Sequence, residues 1–184
     1  FIERYGLDIS YNNQKDPFDI SMRAQYELTK RFTAEFSIRA FIANQPKRTF
    51  DQLYLWMNDP DPHVRRLCSE GTRPRLPWAS KLVDLAKDPS PSLPILELLK
   101  NDPDLYVRRS VANHLGDIAK DHMDLALDLC ENWLTDASKE LKWVISNDVY
   151  TTSGSTGNNN KLFLYEASNT IELKDTFATA KLQF

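Results

Sequence analysis

The sequence predicts an all-α fold of stacked helix pairs, and two observations carry this prediction. A nine-residue segment that begins at Asn58 returns at Asn101, and each copy continues into a similar helical pattern. In the second copy, Val107, Val111 and Leu115 follow the spacing of an amphipathic helix. Because one helix pair cannot bury its apolar stripes alone, neighbouring pairs must stack on each other.

The repeat has the length of a known architecture. Residues 58–66 reappear as residues 101–109 with Asn-Asp-Pro-Asp kept, an offset of 43 residues. A weaker third copy spans residues 136–143. Repeats of roughly 40–47 residues with two helices each are typical of HEAT and armadillo proteins. The sequence therefore predicts a HEAT-like helical-repeat solenoid over residues 1–145.

Composition and charge limit the classes of function. Of the 184 residues, 41% are hydrophobic and 27% charged, which suits one domain with or without an appendage. No stretch approaches the roughly 20 apolar residues of a membrane span. The net charge of −3 argues mildly against nucleic acid, but residues 63–81 carry five cations and one anion. Cys68 and Cys130 fall in helical patterns, as buried free thiols in a reducing compartment would.

Cap residues and apolar spacing define the expected helices. Asp61 suits an N-cap, Pro62 the first helical position and Gly71 the stop, while Asp104 caps the equivalent helix of the second copy. The preceding helices are expected to start with a capping box at Thr49 and to run over residues 94–99. The flanking segments 21–43 and 122–134 each read as one amphipathic helix, the first with Leu28, Phe32, Phe36 and Phe41 or Ile42 on its apolar side.

The helical pattern stops after Ile145. Residues 146–160 contain the polar run Thr-Thr-Ser-Gly-Ser-Thr-Gly-Asn-Asn-Asn, and residues 161–184 alternate weakly between apolar and polar positions. The sequence therefore divides into a helical-repeat domain at 1–145 and a polar linker with an irregular or weakly β tail at 146–184.

Acidic residues occupy positions that need an explanation. Glu70 lies one turn after Arg66, and Asp117 lies one turn after Asn113, which is the repeat equivalent of Glu70. Equivalent helices of a solenoid stand side by side, so these polar lines are expected to merge into one surface. Glu35 falls at the edge of an apolar stripe, where a carboxylate must be paired, hydrogen-bonded or used in function. The alternative for Glu35 is a salt bridge to a nearby arginine, either Arg31 or Arg39.

The loop after the first repeated helix places Trp78 among arginines. This indole is either a plug for the core or a stacking surface. The paired arginines at 65–66 and 108–109 bind either neighbouring aspartates or phosphate. His63, His114 and His122 lack the spacing of a metal site, so no metal is expected.

Three segments closely resemble the AlkC-type DNA alkylation-repair glycosylases, namely residues 31–39, 64–79 and 106–121. The run Arg-Pro-Arg-Leu-Pro-Trp at 73–78 is the most specific part, and the resemblance covers about residues 20–145. It implies a helical solenoid whose concave face binds double-stranded DNA. It further implies a monomeric bacterial cytoplasmic enzyme that excises N3-alkylated bases, such as 3-methyladenine and 3-methylcytosine, without a cofactor.

The resemblance also implies particular site residues. The family's active-site positions fall on Glu35, Glu70, Trp78 and Asp117. The candidate DNA-binding residues are Arg65, Arg66, Arg73, Arg75, Arg108, Arg109 and Asn113. Two features depart from the family, since Gly116 stands where a polar residue is expected and residues 146–184 match poorly. The alternative is a non-catalytic HEAT scaffold for DNA or protein, in which the three carboxylates need not converge and each has its own arginine.

Overall fold

Short helices joined by tight connections make up the computed structural model, which describes residues 1–135, 137–139 and 141–142. The α-helices are α1 (Ile2–Tyr5), α2 (Phe18–Thr29), α3 (Glu35–Asn44), α4 (Pro46–Trp56), α5 (Pro62–Gly71), α6 (Val83–Lys87), α7 (Leu93–Leu99), α8 (Leu105–Ala119) and α9 (Met123–Thr135). Two 3₁₀ turns lie at Ile9–Asn12 and Ser90–Ser92. Within these residues the chain forms no β-strand, and no helix is long and apolar enough to cross a membrane. The predicted tail at 146–184 lies outside the described residues.

The two copies of the repeated sequence form the same hydrogen bonds at the starts of their helices, as predicted. The side chains of Asp61 and Asp104 each accept a backbone amide two residues later at 2.8 Å, immediately before α5 and α8. Asp59 and Asp102 do the same for the amides of Asp61 and Asp104, at 2.8 and 2.9 Å. These bonds satisfy amides that would otherwise lack partners at a helix start. In the third copy, Ser138 Oγ accepts the amide of Leu141 at 3.1 Å.

The predicted single helix over residues 21–43 is wrong, because the chain breaks into α2 and α3. The amide of Phe32 bonds the carbonyl of Leu28 at 2.8 Å, and the chain then turns before α3 begins. Phe32 and Phe36, predicted on the buried side, are 79% and 38% exposed. The break places Glu35 in the first turn of a helix, where free amides favour negative charge.

The predicted capping box at Thr49 is also wrong. Helix α4 begins three residues earlier, at Pro46, and the Thr49 hydroxyl donates to the carbonyl of Gln45 at 2.8 Å from inside the helix. Proline suits this first turn because its missing amide hydrogen has no partner to lose. Helices α7 and α9 lie where the sequence predicts them, within one residue at each end.

The core lies where α5 packs against α8. Val64 and Leu67 from α5 and Leu115 from α8 are at most 1% exposed, and burying each such side chain contributes about 1.5–3 kcal/mol. Both cysteines are buried, and burial raises the pKa of the Cys130 thiol to about 12, so it does not ionise near neutral pH. Gly71 ends α5 and lets α3 approach closely, because an added Cβ would lie 2.5 Å from Ile38 Cγ2.

Candidate active site

Three carboxylates from three different helices meet in one cluster. Glu35 from α3 and Glu70 from α5 lie on either side of Arg66, with nitrogen–oxygen distances of 3.6 Å to each. Arg73, in the loop after α5, contacts Glu70 Oε1 and Asp117 Oδ2 of α8 at 2.8 Å each. The result is a chain of alternating charges, which we call the carboxylate cluster, in which two arginines are shared by three acids.

Glu70 and Asp117 are held by further donors. Ser110 donates to Glu70 Oε2 at 2.7 Å, and Lys120 donates to Asp117 Oδ1 at 2.9 Å. Burial alone would lower the pKa of Arg73, but the two adjacent carboxylates outweigh it and raise that pKa. Arg73 therefore remains a cation in its buried position. Both carboxyl groups are fixed from two sides.

Glu35 is bonded much less than the other two acids. Its Oε2 is shielded from solvent and has no hydrogen-bond partner within the described part of the chain. The 3.6 Å separation from Arg66 is an ion-pair distance rather than a hydrogen bond. The alternative salt bridge of Glu35 to Arg31 or Arg39 is wrong, since Arg31 pairs with Glu27 at 2.7 Å and Arg39 binds backbone carbonyls. Glu35 therefore keeps acceptor capacity for a ligand or a water molecule.

Trp78 projects into solvent from the loop that carries Arg73. Its side chain is 98% exposed, so the interpretation as a core plug is wrong. Its backbone has a φ of +67°, a left-handed conformation that costs a non-glycine residue energy. Hydrogen bonds from Ala79 to Leu76 at 3.3 Å and from Leu82 to Pro74 at 3.1 Å close the loop around it. An exposed indole held this way offers a free face for stacking.

Two predicted DNA-binding arginines are anchored on Asp102, and one of them joins the repeats. Arg65 donates to both Asp102 oxygens, at 2.6 and 2.9 Å, and to the carbonyl of Asp59 at 2.8 Å. Arg108, its repeat equivalent, donates to the carbonyl of Asp102. Asp102 thus ties the second repeat to the first. A phosphate could be bound by Arg65 only after these bonds were broken.

The other predicted DNA-binding residues fall into two groups. Arg66 and Arg73 belong to the carboxylate cluster. Arg75 and Arg109 are exposed and Asn113 is half-buried, and Arg75 pairs with Asp121 at 2.6 and 2.8 Å. The exposed pair can reach a phosphate without disturbing the core, so their role as DNA contacts stays a prediction.

Sequence reasoning missed two neighbours of the carboxylate cluster, Tyr106 and Lys120, and did not identify the contact of Ser110 with Glu70. The Arg66 guanidinium stacks 4.5 Å above the Tyr106 ring, which leaves this arginine fixed between two acids and an aromatic face. Lys120 follows Asp117 by three residues, a helical spacing that could have identified the pair. Ser110 contacts Glu70 only because α5 and α8 stand side by side, and no local pattern signals that.

His114 lies behind the cluster and remains neutral. It is completely buried, its Nδ1 lies 3.0 Å from the carbonyl of Ser69, and burial lowers its pKa to about 3. Among residues 1–135 and the few described beyond them, no group of three histidine, cysteine or acidic side chains is arranged to hold a metal ion.

Comparisons with known proteins relate this chain to a family. The HEAT repeat family model matches residues 93–122, which contain α7 and α8. The uncharacterized protein YhaZ of Bacillus subtilis (strain 168) is 38% identical over 177 residues, 95% of this chain and 47% of YhaZ.

A solved structure extends the comparison. The Pseudomonas fluorescens alkylpurine DNA glycosylase AlkC, bound to DNA containing an abasic site analog, is 39% identical with a TM-score of 0.75. The alignment covers 91% of this chain and 45% of that one, so the chain spans about half the length of both relatives. The resemblance read from the sequence is confirmed, and this chain belongs with the AlkC-type, glycosylase-like HEAT-repeat proteins.

Proposed function

We propose that this chain carries the active site of a DNA glycosylase that excises cationic N3-alkylated bases, such as 3-methyladenine and 3-methylcytosine, from double-stranded DNA. The observation that carries the proposal is the convergence of Glu35, Glu70 and Asp117 through two shared arginines. The similarity to AlkC, an alkylpurine DNA glycosylase, supports it.

The chemistry of such a lesion suits carboxylates. An N3-alkylated base already carries a positive charge and leaves readily, so no strong general acid is needed. As the bond from the base to C1′ breaks, its electron pair neutralises the base and positive charge builds on the deoxyribose. Fixed carboxylates stabilise that charge, and one of them orients the water that attacks C1′. The proton that the water loses passes to the carboxylate that holds it.

The bonding in the structure suggests how to divide these roles. Glu35 has an unused acceptor oxygen, so we assign it the attacking water. Asp117 is fully buried and bonded at both oxygens, so its negative charge is fixed in place. We assign it the electrostatic stabilisation of the positive charge that builds on the sugar. Glu70 lies between Arg66 and Arg73 and orients the other two acids through them. Trp78 stacks against the lesion nucleotide, whose cationic ring an indole face attracts.

A non-catalytic scaffold would use its acids differently. Two ion pairs outside the carboxylate cluster are one-to-one and bidentate, namely Arg65 with Asp102 and Arg75 with Asp121. In the carboxylate cluster, Glu70 lies between two arginines and Glu35 has no bidentate partner. The unused acceptor oxygen of Glu35 leaves room to bind a water molecule beside a developing cation, which favours the enzyme over the scaffold.

The test is release of methylated bases from alkylated double-stranded DNA under single-turnover conditions. We expect the parent chain to release 3-methyladenine. Glu35→Gln and Asp117→Asn each remove a charge from the cluster and should slow release by roughly 10²–10³-fold. Their DNA affinity should stay within about threefold of the parent, because neither carboxylate binds phosphate.

The matched control is Glu27→Gln, which removes an exposed carboxylate that pairs with Lys30 and Arg31 on α2. This variant should release base at the parent rate. Release by Glu35→Gln or Asp117→Asn at the parent rate would overturn the roles assigned above. A folded parent chain that binds DNA and releases no base would instead identify the scaffold.

A further inference from the structure

Arg39 is a buried cation that makes no direct contact with an acid among the residues that the structure describes. It lies on α3, one turn after Glu35, and only 4% of it is exposed. Its guanidinium donates instead to three backbone carbonyls: those of Gly71 at 3.2 Å, Arg73 at 2.6 Å and Ser80 at 2.5 and 3.0 Å. Burying a charge without a counter-ion at hydrogen-bond distance is costly, so these contacts must contribute something that a neutral side chain would not.

The three carbonyls stand at the two ends of one loop. Gly71 and Arg73 mark where the chain leaves α5, and Ser80 marks where it returns toward α6. Arg39 therefore closes the base of the segment 71–80. Charged donors make stronger hydrogen bonds to carbonyls than neutral donors do, and the guanidinium fork reaches both ends of the loop at once.

The segment that Arg39 closes carries two groups of the site. The Arg73 side chain reaches back to Glu70 and Asp117, while Trp78 projects outward from the loop tip. Trp78 has no buried side-chain packing to hold it, since it is 98% exposed, and its left-handed backbone is strained. Strained residues persist only where the surrounding structure fixes them.

We propose that Arg39 is a positioning residue that fixes the separation between Trp78 and Glu35, and this inference rests on the function proposed above. Arg39 lies on α3 one turn after Glu35, and its guanidinium binds both ends of the loop that carries Trp78. The position of Trp78 is therefore linked to that of Glu35 through Arg39. Arg39 itself touches no substrate. Its effect on excision is exerted through the loop, and a base stacked on Trp78 is thereby held at a set distance from the water on Glu35.

The experiment is a double-mutant cycle between Arg39→Lys and Trp78→Ala. Lysine keeps the charge but lacks the fork that spans the two ends of the loop. We expect Arg39→Lys to lower the single-turnover excision rate by roughly 10–100-fold, the size of effect that a displacement of about 1 Å produces. DNA affinity should change by less than about threefold. In the Trp78→Ala background the same substitution should cost less than about threefold, because the loop tip no longer carries an indole to place.

A second measurement tests the loop without relying on activity. Arg75 lies in the segment that Arg39 closes, so trypsin cleavage after Arg75 should be at least about tenfold faster in Arg39→Lys than in the parent, through local opening of the loop. If the parent released no base, the proposed function would fail while this cleavage still tested the closure. Should Arg39→Lys not fold, Arg39→Gln takes its place in both measurements.

The control is Arg48→Lys, which changes an arginine that pairs with Asp16 and Asp19 at the surface. It should keep the parent's excision rate and cleavage pattern. An excision rate for Arg39→Lys equal to the parent's would overturn the inference. An equal loss with and without Trp78 would also overturn it, because a merely structural role does not depend on the indole. Unchanged cleavage after Arg75 would show that the loop is closed by other contacts.

Discussion

Glu35, Glu70 and Asp117 differ in how completely the protein already bonds their oxygen atoms. Asp117 and Glu70 each have partners at both oxygens, whereas Glu35 has an oxygen with no hydrogen-bond partner among the described residues. The sequence could identify Glu35 as an acid that needs a partner. It could not identify Arg66 as that partner, because the contact between Glu35 and Arg66 depends on how α3 packs against α5.

His114 leads to a prediction about pH. Burial lowers its pKa to about 3 in the folded chain, whereas a histidine in the unfolded chain titrates near about 6.5. Between these values the unfolded state binds a proton that the folded state does not. The free energy of unfolding should therefore fall as the pH drops through this range, by up to about 1.4 kcal/mol per pH unit. Urea unfolding between about pH 7 and pH 5 measures the loss.

The matching variant is His114→Phe, which keeps a ring of similar size and cannot titrate. It is expected to be less stable than the parent at neutral pH, because the bond to the carbonyl of Ser69 is lost. Its stability should nevertheless depend less on pH over the same range. An identical slope in parent and variant would assign the acid sensitivity to groups other than His114.

At the scale of the helices, local signals were enough for some boundaries and not for others. The starts of α5 and α8 could be predicted because Asp61 and Asp104 bond amides two residues away, within the same short segment. The break between α2 and α3 could not be predicted from local sequence. Residues 30–34 contain neither glycine nor proline, so the turn there is imposed by packing of α3 against α5 and α1 rather than by local preference.

The helix-start bonds predict a measurable effect on stability. Asp61→Ala leaves the amide of His63 without its acceptor at the start of α5. We expect the free energy of unfolding to fall by about 1 kcal/mol in urea titrations. Asp51→Ala is the control, since it removes an exposed aspartate from the interior of α4 that pairs with Lys47 at the surface. Its cost should stay below about 0.5 kcal/mol. Equal losses would show that the cap contributes nothing specific.

At the scale of the whole molecule, the arginines of the repeat differ in their surroundings. The sequence predicted all of them as candidate phosphate contacts, because they recur at equivalent positions. The structure shows that Arg65 and Arg108 are anchored on Asp102, whereas Arg109 lies at the surface. Repetition alone could not separate these groups, since the partner of Arg65 comes from the next repeat. The repeat therefore predicted the stacked architecture far better than the direction of each side chain.

This division predicts opposite effects for two arginines. Arg109→Ala should weaken DNA binding at all sequences and reduce the slope of log affinity against log salt by about 1, as expected for the loss of one phosphate contact. Arg65→Ala should leave that slope unchanged. It should lower the free energy of unfolding by about 3 kcal/mol instead, because it leaves Asp102 buried without its cation.

Binding isotherms at several salt concentrations, together with urea unfolding of both variants, separate the two roles. A reduced slope for Arg65→Ala would mean that its ion pair with Asp102 opens when DNA binds. An unchanged slope for Arg109→Ala would remove this residue from the proposed DNA-binding surface.

The contact at Gly71 has a consequence for how this protein can change. The gap between α3 and α5 is narrower than a methyl group, so any side chain at this position would force Ile38 away. Glu35 lies on α3 and Arg66 lies on α5. A wider gap between the two helices would therefore separate Glu35 from Arg66. The position of Glu35 relative to Arg66 therefore depends on the absence of a Cβ atom at Gly71.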